Sequence, residues 1–239
     1  MTAGGAFGPD GAGMGKRGEV LATILGHGVL PLYYSDDPGI SEEILAALYE
    51  GGIRAVEYAD RGPTALRNFE RLRRVCDERL PGCHLGIGTI KDGDSARAYL
   101  DRGADFIVCP GLVESVADAV SGIDLLWVPG CVTPTEILRA EQLGAALVKL
   151  YPLNSLGPPY LEAILAVFPN LPFMPTGGIE MDDSTVTAWI RARAAALGGS
   201  KLITAAIVEE RAWDRLAEDT RRALAVIRSA RARVAAGAD

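Results

Sequence analysis

Cysteine and aromatic residues are scarce in this sequence of 239 residues, which has four cysteines and 6% Phe, Trp and Tyr. The cysteines form no C-x-x-C pair, and no zinc-ligand spacing joins them to a histidine, so we expect no metal site. His84 does follow Cys83, but neighbouring residues of a strand point to opposite faces of the sheet. Reduced thiols in a cytoplasmic protein are therefore expected.

Positive charge is in deficit, and long apolar runs are absent. Twenty-four Lys and Arg stand against 31 Asp and Glu, which gives a net charge of -7. Proteins that coat nucleic acid or anionic membranes need clustered positive charge, so we expect neither partner. A small anionic substrate needs only a local patch and stays possible. No apolar run approaches the ~20 residues that span a bilayer.

The first 15 residues have neither the basic nor the apolar region of a signal peptide. Five glycines and one proline lie between Gly4 and Gly13, which predicts a flexible tail over residues 1–15. Residues 16–239 are predicted to form one domain, because 49% of the chain is hydrophobic and can supply a core.

From residue 16 onward, short apolar runs alternate with longer stretches of helical periodicity. The predicted strands are 28–34, 53–58, 84–89, 105–109, 125–128, 146–151, 172–175 and, most weakly because alanine favours helix, 194–199. The predicted helices include 41–49, 64–77, 94–101, 134–143, 159–167 and one starting at residue 183. Ser41 is the expected N-cap of the first of these helices.

The spacing of the apolar runs, about 20 to 30 residues, is that of a strand plus a crossover helix. Eight such units in about 210 residues predict a single-domain α/β protein, a (β/α)8 TIM barrel. A doubly wound sheet is the alternative, but it would more often carry a G-x-G-x-x-G turn near its first strand. The nearest match, Gly86-Ile87-Gly88, lacks the later glycine and lies on the third strand.

Lys149 is the most informative residue, because it is the one charge in a predicted strand that is otherwise apolar. Active sites of barrels lie at the C-terminal ends of the strands. Loss of hydration in the barrel interior lowers the pKa of a lysine, and a neutral amine can attack a carbonyl carbon. The alternative is a lysine that reaches solvent or is held in an ion pair.

Glu57 likewise places a carboxylate in an apolar run, where it could transfer protons near neutral pH. Its alternative role is a structural partner of an arginine, and Arg61 lies close in sequence. Arg61 could bind a substrate carboxylate with two hydrogen bonds, or could be a solvated loop residue. Together with Lys149, these residues could supply a base, an anion clamp and a nucleophile.

Two glycine-rich turns are candidate anion sites. Thr176-Gly177-Gly178-Ile179 follows the seventh strand, and Gly198-Gly199-Ser200 supplies the matching loop at the weak eighth strand. Backbone N–H groups can approach an anion closely in such turns, and barrels frequently bind phosphate after strands seven and eight. Each turn by itself could be only a connection.

The ordered series of motifs resembles the 2-keto-3-deoxy-6-phosphogluconate and 4-hydroxy-2-oxoglutarate (KDPG and KHG) aldolases, which are class I, Schiff-base enzymes on a (β/α)8 barrel. The resemblance covers about residues 20–228. The matching pieces are Val56-Glu57, Arg61, 86–89 (GIGT), 109–111 (CPG), 129–136 (PGCVTPTE), 148–152 (VKLYP), 175–179 (PTGGI) and 199–202 (GSKL).

The resemblance implies a role for each matching residue. Lys149 would form the Schiff base and Glu57 would be the general acid and base. Arg61 and Thr89 would hold the carboxylate of the pyruvate half, beside which Pro110 and Tyr151 would pack. The phosphate of the aldehyde half would bind at Gly177, Gly178, Gly199 and Ser200. A protonated imine is the electron sink, so no metal or other cofactor is expected. A homotrimer is expected on the same basis.

Several departures leave the substrate open. Relatives often have Pro-Ala-Glu where this chain has Pro152-Leu153-Asn154, and Tyr33 and Tyr34 replace the commoner aliphatic residues. The lead hypothesis is cleavage of a 2-keto-3-deoxy-6-phospho sugar acid to pyruvate and glyceraldehyde 3-phosphate. The alternatives are a 4-hydroxy-2-oxoglutarate or phosphogalactonate-type aldolase, a phosphosugar isomerase or epimerase, and a phospho-ligand binder without catalysis.

Overall fold

The computed structural model describes residues 15–153, 156–199 and 201–237. Within these ranges the chain forms nine strands and ten helices. Residues 1–14 of the predicted tail and Ser200 of the predicted phosphate loop lie outside the described residues.

All the strands pair in parallel. They are β1 (Val29–Tyr33), β2 (Ala55–Ala59), β3 (His84–Gly88), β4 (Phe106–Val108), β5 (Leu126–Val128), β6 (Gly130–Cys131), β7 (Val148–Leu150), β8 (Phe173–Pro175) and β9 (Leu197–Gly199). One sheet has the order β5-β4-β3-β2-β1-β9, and the other has the order β6-β7-β8. Within each sheet, strands that are consecutive in the chain are neighbours, and β9 lies beside β1, so neither order has a reversal of the doubly wound kind.

The strands alternate with helices. These are α1 (Lys16–His27), α2 (Pro38–Glu50), α3 (Ala65–Arg79), α4 (Gly93–Leu100), α5 (Glu114–Val120), α6 (Pro134–Gln142), α7 (Gly157–Val167), α8 (Asp183–Arg191), α9 (Ala205–Glu209) and α10 (Trp213–Ala235). The α/β class with a parallel sheet is therefore confirmed, and each predicted strand overlaps an observed one, whereas β6 was not predicted. Helices α1, α5, α9 and α10 lie outside the stretches for which a helix was specified.

Two apolar clusters organise the interior. One consists of alternate residues along the strands, among them Leu30, Phe106, Leu147 and Met174, joined by two residues of α1. The other, much larger cluster packs the remaining strand residues against the helices. Since α1 leads directly into β1, it covers the end of the strands at which β1 begins. The opposite, C-terminal ends of the strands therefore remain available for a site.

The prediction that Ser41 is the N-cap of the first of the predicted helices is wrong. Helix α2 begins earlier, with Asp37 as its cap: the Asp37 carboxylate accepts from the backbone N–H groups of Gly39 and Ile40 at 2.7 and 3.0 Å. Pro38 fits the first helical position because its missing N–H would have no helical partner there. Ser41 is instead fully buried inside the helix, and its hydroxyl donates to the carbonyl of Ser35.

The weakest predicted strand, 194–199, is not helical, although alanine favours helix. Its last three residues form β9, which pairs with β1 at Val29, Leu30 and Pro31. The preceding alanines lead into the strand, and Ala196 belongs to the inner cluster.

Within the described residues, no helix is both long enough and apolar enough to cross a membrane.

Candidate active site

Lys149 and Glu57 meet inside the molecule although they come from β7 and β2. Lys149 Nζ lies 3.6 Å from Glu57 Oε1, and the two side chains are only 8% and 2% exposed. The second carboxylate oxygen, Oε2, is buried and makes no hydrogen bond to any described residue. The structure thus brings the two residues together, and their roles as nucleophile and base stay predictions. The ion pair raised as an alternative for Lys149 also exists, and the two roles are compatible, since an ammonium needs a nearby base to become a nucleophile.

Gly88 of β3 makes room for the carboxylate of this pair. A Cβ on Gly88 would lie 1.9 Å from Glu57 Oε1, whereas a Cβ on Gly86, which pairs in register with Glu57, would lie 2.2 Å from the ring of Phe106. The sequence indicated Gly86-Ile87-Gly88 as an incomplete dinucleotide-binding turn and as part of the family resemblance, and this function of Gly88 was missed. The signal that could have revealed it is the pair of glycines, Gly86 and Gly88, on the strand next to the one that carries Glu57.

Tyr151 and Cys109 complete the surroundings of the amine. The ring centroid of Tyr151 is 5.4 Å from Lys149 Nζ, and the ring is 40% exposed, so it lies between the amine and solvent. Burial raises the pKa of the Cys109 thiol to about 11. Cys109 is therefore neutral near pH 7 and adds no charge to the pair. The sequence indicated Cys109 as part of the 109–111 motif but gave it no role.

Thr89 and Pro110 lie at the ends of β3 and β4, as predicted for residues that face a substrate. Thr89 has φ = 66°, a left-handed conformation that is a true outlier for a β-branched residue. Such strain is typical of residues held in place at functional sites. The backbone of Pro110 approaches Gly130 so closely that a Cβ there would lie 2.4 Å from the Pro110 carbonyl carbon.

The two predicted anion loops are brought together. Thr176, which is 4% exposed, forms a parallel bridge with Gly198, and a Cβ on Gly198 would lie 2.0 Å from Thr176 Oγ1. Gly177 and Gly178 have φ values of 126° and 64°, which glycine adopts readily. Gly199 is buried and pairs with Pro31 of β1. The contribution of Ser200 lies outside the described residues.

Arg61 is exposed and lines a cavity of about 340 Å³ at the end of β1. Its neighbours there include Leu32, Tyr34 and Thr204. Leu32 pairs in register with Glu57, but neither Glu57 nor Lys149 lines this cavity. The structure therefore brings Lys149, Glu57 and Tyr151 together and does not bring Arg61 into contact with them.

The arrangement can support chemistry at a carbonyl group. It offers a buried amine, an adjacent carboxylate and two glycine-containing loops at the same end of the strands. Among the described residues, no group of three His, Cys, Asp or Glu side chains is placed to hold a metal ion.

Similarity to known proteins decides between the aldolase, the isomerase or epimerase, and the ligand-binding hypotheses. Residues 24–218 match the family model described as KDPG and KHG aldolase. This chain belongs to the KDPG and KHG aldolase family. It is 28% identical to the 2-dehydro-3-deoxy-phosphogluconate aldolase of Pseudomonas aeruginosa over 82% of this chain and 87% of that protein.

Two further comparisons agree with membership of this aldolase family. The 2-dehydro-3-deoxy-6-phosphogalactonate aldolase of Escherichia coli is 31% identical, over 70% of this chain and 80% of the relative. A solved 4-hydroxy-2-oxoglutarate/2-dehydro-3-deoxyphosphogluconate aldolase from TTHB1 is 31% identical with a TM-score of 0.74, over 90% of this chain and 100% of the other.

Proposed function

We propose that this protein is a class I aldolase, a carbon–carbon lyase that cleaves a 2-keto-3-deoxy-6-phospho sugar acid to pyruvate and glyceraldehyde 3-phosphate. The observation that carries the proposal is the buried contact between Lys149 Nζ and Glu57 Oε1 at 3.6 Å in a chain of this family. The same contact would serve an isomerase less well, because proton transfer alone gives the buried amine no covalent role.

The reaction begins at Lys149. Glu57 takes a proton from the ammonium, and Nζ attacks the C2 carbonyl carbon of the substrate to form a carbinolamine. Loss of water gives a protonated imine, which withdraws electrons from the neighbouring carbons. Glu57 lies within 3.6 Å of the nitrogen, so one carboxylate can serve these proton transfers in turn.

Carbon–carbon cleavage follows from the imine. Glu57 removes the proton of the C4 hydroxyl, the C3–C4 bond breaks, and its electron pair moves onto C3 and the imine nitrogen as an enamine. The C4 hydroxyl carbon becomes the aldehyde carbon of the leaving half. Proton return to C3 and attack of water on the resulting imine release pyruvate and restore Lys149. The free, buried Oε2 of Glu57 suits this role, because no other hydrogen bond among the described residues competes for it.

The remaining site residues bind the substrate. Arg61 and Thr89 hold the carboxylate of the pyruvate half, with Pro110 and Tyr151 packed beside it. Thr176, Gly177, Gly178, Gly199 and Ser200 bind the phosphate of the aldehyde half. The bridge between Thr176 and Gly198 supports this assignment, because it joins the two loops.

The preferred aldehyde half is the open part of the proposal. One relative is a phosphogalactonate aldolase and another carries the 4-hydroxy-2-oxoglutarate name. Comparison of pyruvate release from the gluconate and galactonate phospho acids and from 4-hydroxy-2-oxoglutarate ranks them by kcat/KM. We expect the phosphorylated acids to rank first.

The matched variants are Lys149→Ala and Lys91→Ala. Lys91 is an exposed lysine with no proposed contact to the substrate. Loss of pyruvate release in the first variant but not in the second is expected. Full turnover by folded Lys149→Ala would overturn the proposal.

The nine strands are proposed to form one closed (β/α)8 barrel, with β5 and β6 as two parts of the fifth strand separated by Pro129. Two contacts support closure: the N–H of Lys149 donates to the carbonyl of Pro129 at 2.9 Å, and Thr176 bridges to Gly198. An experimental structure with a gap between these strands would contradict it.

We also propose a homotrimer in the cytoplasm. Large apolar side chains on the described surface support assembly, and Val167 is the most exposed of them at 66%. Four free, buried cysteines suit a reducing compartment. Light scattering should give a mass three times the 25.2 kDa of the chain, and cell fractionation should recover the protein with soluble enzymes.

A further inference from the structure

The two glycine-containing loops at the ends of β8 and β9 present free backbone donors. Gly177 and Gly178 follow β8 with positive φ values, and neither of their N–H groups donates to a backbone carbonyl of the described residues. Gly199 is the last residue of β9. An anion can approach such N–H groups closely, so the binding of a phosphate here depends on how the two loops are held relative to each other.

An ion pair joins the two loops just beyond these glycines. Lys201 Nζ lies 2.5 Å from Glu180 Oε1. Each partner comes two residues after the last glycine of its own loop. On the strand side of the glycines, Thr176 forms its bridge with Gly198. The loops are therefore tied together on both sides of the residues that are proposed to bind phosphate.

The segments that carry the ion pair are anchored to the interior. Ile179, which precedes Glu180, is buried, and so is Leu202, which follows Lys201. Met181, Lys201 and Leu202 line one cavity of about 180 Å³, so the two segments also lie side by side beyond the pair. Because buried neighbours fix the backbone, the two charged side chains lose less conformational freedom when they pair.

Resting on the function proposed above, we propose that Glu180 and Lys201 are positioning residues of the phosphate site: their ion pair holds the two loops at the separation at which N–H groups of both reach one phosphate. Neither side chain needs to touch the substrate for this role. The side chains are 58% and 46% exposed, so the pair contributes modestly. It acts on phosphate binding and not on the chemistry at Lys149.

The direction of one effect separates this role from a direct contact with the substrate. Glu180→Gln removes a negative charge close to the phosphate site, so Coulomb's law alone predicts tighter binding of a phosphorylated acid. If Lys201 contacted the phosphate itself, its release from Glu180 would also strengthen binding. Loss of a positioning ion pair predicts the opposite result, weaker binding, because the loops are then free to separate.

The test measures KM and kcat for 2-keto-3-deoxy-6-phosphogluconate and for 4-hydroxy-2-oxoglutarate, which has no phosphate. In Glu180→Gln we expect KM for the phosphorylated acid to rise about threefold, with kcat unchanged and no effect on the other acid. The double variant Glu180→Lys, Lys201→Glu keeps the net charge and restores the pair, so its KM should return close to that of the wild type. Glu114→Gln is the matched control, because it breaks a similarly exposed pair with Arg139, at 2.6 Å, between α5 and α6.

Three kinetic results would overturn the positioning role. They are a KM for the phosphorylated acid that is unchanged or lower in Glu180→Gln, a KM that rises equally for both acids, and a double variant that does not recover. Reductive trapping of pyruvate on wild-type Lys149 is run in parallel. No adduct would remove the aldolase function itself. An adduct without turnover of the phosphorylated acid would remove the phosphate site, and the positioning role with it.

Discussion

Gly88→Ala is the most direct structural test of the catalytic pair. The new Cβ would lie 1.9 Å from Glu57 Oε1, and ordinary contact begins at 3.4 Å, so the carboxylate must withdraw by about 1.5 Å. Glu57 is only 2% exposed, and its surroundings give little room for that movement. A misplacement of about 1 Å can cost about 10²-fold in rate, so we expect kcat to fall by about 10²-fold or more. The overpacking should also lower the free energy of unfolding by about 1–3 kcal/mol.

The assay for Gly88→Ala is pyruvate release with saturating phospho acid, together with urea denaturation. The matched control is Gly111→Ala, because a Cβ on Gly111 meets nothing within 4 Å. The control should keep kcat within about twofold of the wild type. A folded Gly88→Ala protein with wild-type kcat would refute the reasoning, since the carboxylate would then not need its observed position.

Three further predictions concern stability. Asp37→Ala should lower the free energy of unfolding in urea by about 1 kcal/mol, because the cap of α2 is lost. Arg73→Met should cost about 2 kcal/mol in the same assay, because the carboxylate of Asp105, only 9% exposed, loses the guanidinium at 2.5 Å and keeps Lys16 at 2.9 Å and the N–H of Leu85 at 2.7 Å; a loss near zero would contradict this. Burial lowers the pKa of His27 and His84 from the ordinary 6.5, so the unfolded chain binds more protons as the pH falls. The free energy of unfolding should therefore decrease below about pH 6.5, and less steeply in a double Gln variant.

The strands could be predicted from the sequence because their signal is local. Apolar runs bounded by Gly, Pro or polar residues need no knowledge of the fold. Lys149 and Glu57 stood out for the same reason, since a charge in an apolar strand is visible in the sequence alone. Their contact at 3.6 Å follows from the order of the strands, which the repeated strand–helix spacing indicated.

The features that the sequence did not predict depend on tertiary contacts. The cap of α2 is the exception, because it is local: Asp37 and Ser41 are both good capping residues, and Pro38 at the first helical position favours Asp37. The function of Gly88 depends on the direction of the Glu57 side chain from the neighbouring strand. The surroundings of Arg61 depend on a cavity shared with residues far along the chain, such as Thr204.

Intact mass after incubation with pyruvate and borohydride tests the central claim most directly. Reduction makes a Schiff base permanent, and peptide mapping then identifies the lysine. We predict one pyruvyl adduct per chain, located on Lys149 and absent from Lys149→Ala. A folded protein that gains no adduct, or gains it on another lysine, would contradict the proposed chemistry.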